Sequence, residues 1–402
     1  MQKYIYTARD ERGKGVKGMI MAENELELSQ KISNLGYFLT SFKISQESIN
    51  KVSETAVDML QPKEVLQLTY QISTLLDAGL PLLNGLRNLA QDAANERIQR
   101  TIDDIRYRVE SGISLKEALS VHPKSFSKLY QALVEAGEST GKLAETLNDL
   151  ALLLEWQMDL KGKIKEAATY PIILFSVMIG VVTLMVVKVI PTFEPIFADF
   201  GAKLPLPTRL VLGVSHFVIN FWPILIGLII TMVLGVIFYN RTESGHYKLD
   251  SLKLKMPLFG GLLRKIALSR FAHTFTICFD AGINLLIALE ISQGTIGNSR
   301  IEQAVGKAKK SVNVGEKLAA SLKMSGEFPS MVVRMIEVGE QSGNLTKTLK
   351  KVTEFYDKEV AATIKSIFAL MEPIMIIIMG IVVGGIALAV FMPMFQLAEM
   401  VG

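Results

Sequence analysis

The sequence predicts a mostly α-helical polytopic membrane protein, with two homologous helical bundles, three transmembrane helices and a small N-terminal α+β module. Three observations carry that reading. Short stretches of the first half recur, in order, in the second half. Three apolar runs reach the roughly 20 residues that cross a bilayer. Between these runs apolar residues recur at helical spacing, and 20% of the chain is charged, so large parts face water.

Residues 1–45 read as a separate module. Tyr4-Ile-Tyr6 and Val16-Lys-Gly-Met-Ile-Met21 are short strands around a Gly13/Gly15 turn. Glu23–Leu35 is an amphipathic helix ended by Gly36, and Tyr37–Ile44 is a last strand. A polar stretch without pattern follows. From Pro62 the pattern is helical. Val65, Leu68, Ile72, Leu75 and Leu76 make one stripe on Glu64–Ala78. Gly79 stops that helix and Pro81 suits the first turn of the next. Ile98–Val109 closes near Gly112, and Ser114-Leu-Lys-Glu117 matches a capping box. Phe126–Ala136 and Leu143–Lys165 complete about six helices. Each is too short and amphipathic to stand alone, so the stripes close on one another as a bundle.

The second half repeats the order. Asp77-Ala-Gly-Leu-Pro-Leu-Leu83 recurs as Asp280-Ala-Gly-Ile-Asn-Leu-Leu286. Gly112 matches Gly315, Leu119 matches Leu322, Phe126 matches Phe328, Leu147 matches Leu349 and Pro171 matches Pro373. Pro191-Thr-Phe193 matches Pro393-Met-Phe395. The offset is 203 early and 202 later, which places a one-residue indel between Leu119 and Phe126.

The spans are Pro171–Val187, extending to Ile190 past a snorkelling Lys188; Phe217–Tyr239; and Pro373–Ala398, up to about Phe391. Lysines 161, 163 and 165 precede the first, and Lys350, Lys351, Lys358 and Lys365 precede the third. Arg241, Lys248, Lys253, Lys255, Arg264 and Lys265 follow the second. Between spans one and two stand only Lys203 and Arg209, against Glu194 and Asp199. The positive-inside rule puts the N-terminus and both bundles in the cytoplasm and the C-terminus outside. The unrepeated middle span then returns the chain, so that two repeats of one orientation can each end on an outgoing helix.

The most conspicuous repeated stretch is Glu135-Ala-Gly-Glu-Ser-Thr-Gly-Lys-Leu143, which recurs as Glu337-Val-Gly-Glu-Gln-Ser-Gly-Asn-Leu345. Its first copy imitates part of a phosphate loop. The Walker pattern requires glycine where Ala136 stands and a hydroxyl where Leu143 stands, and it follows a strand. The second copy has Asn344 in place of Lys142. The bland reading is structural: Gly137, Gly141, Gly339 and Gly343 interrupt a helix and permit a tight turn or close approach. Glu135, Glu138, Glu337 and Glu340 are either a solvated helix end or a surface for a basic partner, the opposite bundle or a cation. Glu372, at the threshold of span three, either faces water and headgroups or packs against a partner helix. Gly380, Gly384 and Gly385, with Ala387 and Ala389, allow another helix to approach closely.

Other chemistry is not indicated. Four scattered histidines make no metal-ligand spacing, and no Ser-His-Asp or Cys-His set emerges. The single cysteine, Cys278, lies in an apolar helical run and reads as core. A net charge of +4 with no basic, aromatic-interleaved face argues against nucleic acid. The N-terminus lacks the apolar region of a cleaved signal peptide. No cofactor is expected, and no enzyme activity.

The duplicated D-A-G-[LI]-x-L-L, the [AV]-G-E-x-[ST]-G-x-L elements, Tyr170-Pro171, Glu372-Pro373 and Pro393-Met-Phe395 together resemble the inner-membrane platform proteins of type IV pilus and type II secretion machines. The likeness covers nearly the whole chain. It implies two cytoplasmic six-helix domains, three spans and self-association. It also implies a role between a hexameric cytoplasmic assembly ATPase and the pilin or pseudopilin subunits lifted from the membrane, alongside other inner-membrane assembly proteins. The chain then divides into module 1–45, linker 46–61, bundle 62–169, span 170–190, periplasmic loop 191–215, span 216–240, cytoplasmic linker 241–268, bundle 269–371, span 372–393 and periplasmic tail 394–402. The expected location is the bacterial inner membrane, N-terminus cytoplasmic and C-terminus periplasmic. The expected role is non-enzymatic coupling of the ATPase to pilin extraction and polymerisation. The alternatives are the platform of a type II secretion system or, from another class, a small oligomeric transporter or channel.

Overall fold

The computed structural model of the protein describes residues 2–9, 15–22, 38–44, 59–192, 195 and 205–401. The first three segments form an antiparallel sheet of β1 (Gln2–Arg9), β2 (Gly15–Ala22) and β3 (Phe38–Ile44) in the order β2-β1-β3. Strands β1 and β2 pair from Gln2↔Ala22 to Arg9↔Gly15. Against β3 the register slips once, between Thr7 and Ala8. The helix expected over Glu23–Leu35 lies outside the described residues.

Helix α1 (Pro62–Asp77) opens with proline in its first turn, and Glu64 accepts from the Gln61 N–H at 2.6 Å. It is followed by α2 (Leu82–Gln91), α3 (Glu96–Glu110), α4 (Leu115–Ser120) and α5 (Lys128–Thr140). Helix α6 (Leu143–Leu184) then runs on through a π turn, Met185–Val189, and a 3-10 turn, Ile190–Thr192. The amphipathic helix and the first span are therefore one element. The same holds in the second repeat, where α9 (Phe259–Asp280), α10 (Leu285–Gln293), α11 (Ser299–Asn313), α12 (Leu318–Met324) and α13 (Ser330–Gln341) lead into α14 (Leu345–Val401). Between the repeats stand α7 (Leu206–Asn240) and α8 (Glu243–Lys255). Thus 241–268, expected as a linker, is largely helical.

Matched positions fill matched places. Leu119 and Leu322, Phe126 and Phe328, and Leu147 and Leu349 are all buried. Each such side chain contributes roughly 1.5–3 kcal/mol on leaving water. Cys278 is buried among them. The indel falls in the connection from α4 to α5, shown by equivalent contacts offset by 203 before it and 202 after it. Leu60, placed by the sequence in the linker, belongs to the first bundle: it is buried and its N–H donates to Ser125 Oγ at 2.9 Å.

The bundles meet where α6, α9 and α14 run together. Leu160, Leu262, Ile266, Val360, Ile364 and Ile367 form a small core there. Above it, Asp357 Oδ1 accepts from Trp156 Nε1 and from His273 Nε2, both at 2.8 Å. The Trp156 and His273 rings stack with centroids 4.0 Å apart. The equivalent positions are Lys358, Glu155 and Tyr70, so this node does not obey the repeat.

Among the described residues three helices are long and apolar enough to cross a membrane: Leu143–Val189, Asn220–Asn240 and Leu345–Met392. Their flanks face outward; Ile172, Ile173, Ile376, Ile377 and Ile381 are all more than half exposed. The three close on one another near their far ends, through α7.

Candidate functional site: paired glycine–glutamate elements at the root of each span

Each element starts with a helix stop. Gly141 has φ +71° and Gly343 φ +66°, a region open to glycine at little cost. The N–H of Lys142 reaches back to the Gly137 carbonyl at 2.9 Å, and Asn344 to Gly339 at 2.9 Å. Both turns are therefore six-to-one Schellman closures. Gly137 and Gly339 lie within the helices rather than interrupting them, and serve close approach. A Cβ on Gly137 would lie 2.9 Å from Thr146 Oγ1 and 3.1 Å from Leu143 Cα. On Gly339 it would strike Thr348 Oγ1 and lie 3.2 Å from Leu345 Cα. Helices α5 and α6, and α13 and α14, are thus locked at a fixed crossing just before the long helices depart.

The glutamates at 138 and 340 reach back to the short helices. Glu138 accepts from the N–H groups of Leu115 (2.7 Å) and Lys116 (3.1 Å). Glu340 accepts from Leu318 (2.8 Å) and Ala319 (3.2 Å). Each carboxylate satisfies two donors that the first helical turn cannot use, and sits at the positive end of the helix dipole. The capping box at Ser114 is only half made. Ser114 Oγ accepts from Glu117 N–H at 3.2 Å, while Glu138 takes the neighbouring N–H groups of Leu115 and Lys116. In the second repeat Lys317 stands at the cap and gives no side-chain bond, leaving Glu340 to act alone.

The other expected residues are not drawn together. Glu135 pairs with Lys116 at 3.2 Å on an exposed surface. Glu337 is exposed beside Gln341. Glu372 is exposed on α14 and has no ion-pair partner among the described residues. Lys142 pairs with Glu145 at 3.6 Å at the start of α6, with no strand before it.

Sequence reasoning missed the part played by α7. Proline offers no N–H, so Pro393 leaves the Ala389 carbonyl without its helical donor. Thr208 Oγ1 donates to that carbonyl at 2.8 Å. In the π turn the bonds run five residues, which directs the Val186 carbonyl to Pro191, again without an N–H. Ser215 Oγ donates to it at 2.6 Å. Pro191 and Pro393 are repeat equivalents, and one unrepeated helix completes both. The seven-residue spacing of Thr208 and Ser215 on one helical face was the available signal.

At the seam of the bundles, Lys350 Nζ meets Asp280 Oδ2 at 2.6 Å, and this bond raises the ammonium above its ordinary value. Nearby Asp149 is pushed above the usual carboxylate range by burial, then by the Asp280 charge. One constellation looks catalytic and is not. Ser299 Oγ contacts both His246 Nδ1 and Asp250 Oδ2. A nucleophilic serine needs the histidine between itself and the acid. Here the buried Asp250 bonds the serine directly and also accepts the Ser299 N–H at 2.9 Å. The set anchors α8 to the start of α11. No group of three or more metal-ligating side chains occurs among the described residues.

Two homologous bundles, each rooted on a membrane-spanning helix and joined by a return span, define a duplicated membrane scaffold. The profile of the type II secretion system protein F family matches residues 68–191 and again 271–393, and the chain belongs to that family. It is 36% identical to a type IV pilus assembly protein PilC of Myxococcus xanthus, over 98% of this chain and 95% of the relative. It is also 36% identical to PilC of Thermus thermophilus, over 99% and 98%. A type II secretion system protein F of Pseudomonas aeruginosa is 32% identical over the full length of both chains.

Proposed function

We propose that the protein is a non-enzymatic inner-membrane platform of a type IV pilus machine, passing the motion of a cytoplasmic assembly ATPase to the extraction and polymerisation of pilins. The observation that carries this is the unbroken helix leading from each locked glycine–glutamate element into a span, over 42 residues in α6 and 57 in α14. A displacement of either bundle is delivered to the membrane without an intervening loop. The lysine and arginine distribution supports cytoplasmic bundles and a periplasmic C-terminus. Exposed Glu135, Glu337 and Glu372 are available to partner or sister subunits, while Glu138 and Glu340 act through the helices they cap. Self-association would set the spans around an emerging filament.

Deleting the chain should abolish filament assembly while pilin stays inserted in the membrane. Filaments of normal number in the deletion strain would refute the proposal. The full-length match to secretion-system proteins supports a second reading, a platform for pseudopilins. Loss of protein export with pili intact would select it.

A further inference from the structure

Below the Trp156–Asp357 node, α6 and α14 part and leave a groove of about 330 Å³. Its walls are apolar, from Ala167, Ile364 and Phe368, and its rim carries Lys163, Lys365 and Glu166. Lys163 and Lys365 are repeat equivalents, and each lies eight residues ahead of the proline that begins its span. Eight residues of helix rise about 12 Å. Two flexible lysine stems at that height reach the headgroup layer, which is on the order of 5–7 Å deep on each side of the hydrocarbon. Lys163 is partly engaged by Asp159 at 2.6 Å. Lys365 and Glu166 have no ion-pair partner among the described residues. Further along the same two helices Ile172 and Ile376 are exposed.

We propose that this groove holds the headgroup of a phospholipid bearing a primary amine, of the phosphatidylethanolamine type. With Asp159 beside Lys163, the rim of Lys163, Lys365, Asp159 and Glu166 carries no net charge, which complements a zwitterion better than a net anion. The phosphate is shared by Lys163 and Lys365, one from each repeat, as a pair of charge-assisted contacts. The ammonium of the headgroup donates to Glu166. The acyl chains leave past Phe368 toward the spans. The bound lipid then bridges the roots of α6 and α14 where they diverge.

The full-length protein in mild detergent is offered phosphatidylethanolamine, phosphatidylcholine or phosphatidylglycerol, and retained lipid is counted by native mass spectrometry. One phosphatidylethanolamine per chain is expected, held over the other two. The double variant Lys163→Ala/Lys365→Ala should weaken retention on the order of tenfold or more. Glu166→Gln, which alters one charge on an exposed side chain, should abolish the preference over phosphatidylglycerol while retention persists. Ala361→Trp, which fills the groove without changing charge, should expel the lipid. Helix content by circular dichroism confirms that each variant is folded. The proposal is overturned if the wild type retains no lipid, if phosphatidylglycerol competes equally, or if the lysine variant retains lipid as the wild type does.

Discussion

Replacing Thr208 by valine keeps the shape of the side chain and removes the hydroxyl that serves Ala389. Thr208 and Ala389 are both fully buried, so water cannot take over the carbonyl. Hydrogen bonds between membrane helices average about 0.6 kcal/mol and reach about 1.7, whereas stranding a buried acceptor costs about 1–3 kcal/mol. Because Pro393 provides no alternative donor, Thr208→Val should cost about 1.5 kcal/mol, at the upper end of the membrane range. The decisive comparison is the same substitution in a Pro393→Ala background. There a backbone N–H serves Ala389, and the cost of Thr208→Val should fall to a few tenths of a kcal/mol. Reversible unfolding of the full chain in mixed micelles measures all four corners of that cycle. A coupling near zero would show that the threonine is not filling the gap left by the proline.

Glu340→Ala should destabilise the second bundle by roughly 1.5–3 kcal/mol, the worth of hydrogen bonds to a charged group. Glu138→Ala should cost less in the first bundle, because Ser114 still caps Glu117; amide exchange in α12 and α4 reads each effect locally. Gly339→Ala should lower the melting temperature through its clash with Thr348, and Thr348→Ala should recover part of the loss in the double variant. Asp149→Asn should raise the melting temperature at pH 7. The folded carboxyl sits above its ordinary 3.8, so its ionisation opposes folding as pH rises through the folded value. The gain should vanish below about pH 4, where both states are protonated, and a gain unchanged in acid would contradict the assignment.

Much of this was legible in the residues because the same pattern occurs twice. The six helices of each bundle follow from apolar spacing and glycine stops, and the tight pair Gly137/Gly141 from its copy at Gly339/Gly343. Contacts between distant segments were not legible. Glu138 reads locally as a polar residue near a helix end, and only folding brings it to Leu115, 23 residues earlier. The Trp156, Asp357 and His273 node was hidden for a different reason. It departs from the repeat, so comparing the copies directs attention away from it. Leu143–Lys165 reads as a helix running directly into its span, and the continuous α6 agrees, although a proline such as Pro171 marks a break as readily as a tolerated kink.

The two hydroxyl bonds from α7 have a mechanical meaning. They tie the far tips of α6 and α14 to one helix, while the near ends belong to separate bundles. Two rods clamped at one end behave like a pair of tongs. From Leu160 to Val186 the lever is about 39 Å long, so a swing of 5° about the clamp opens the jaws by roughly 3 Å. A widening between the spans on the side of the bundles would thus have to part the Leu160, Val360 and Ile364 core, with the opposite side held shut by Thr208 and Ser215.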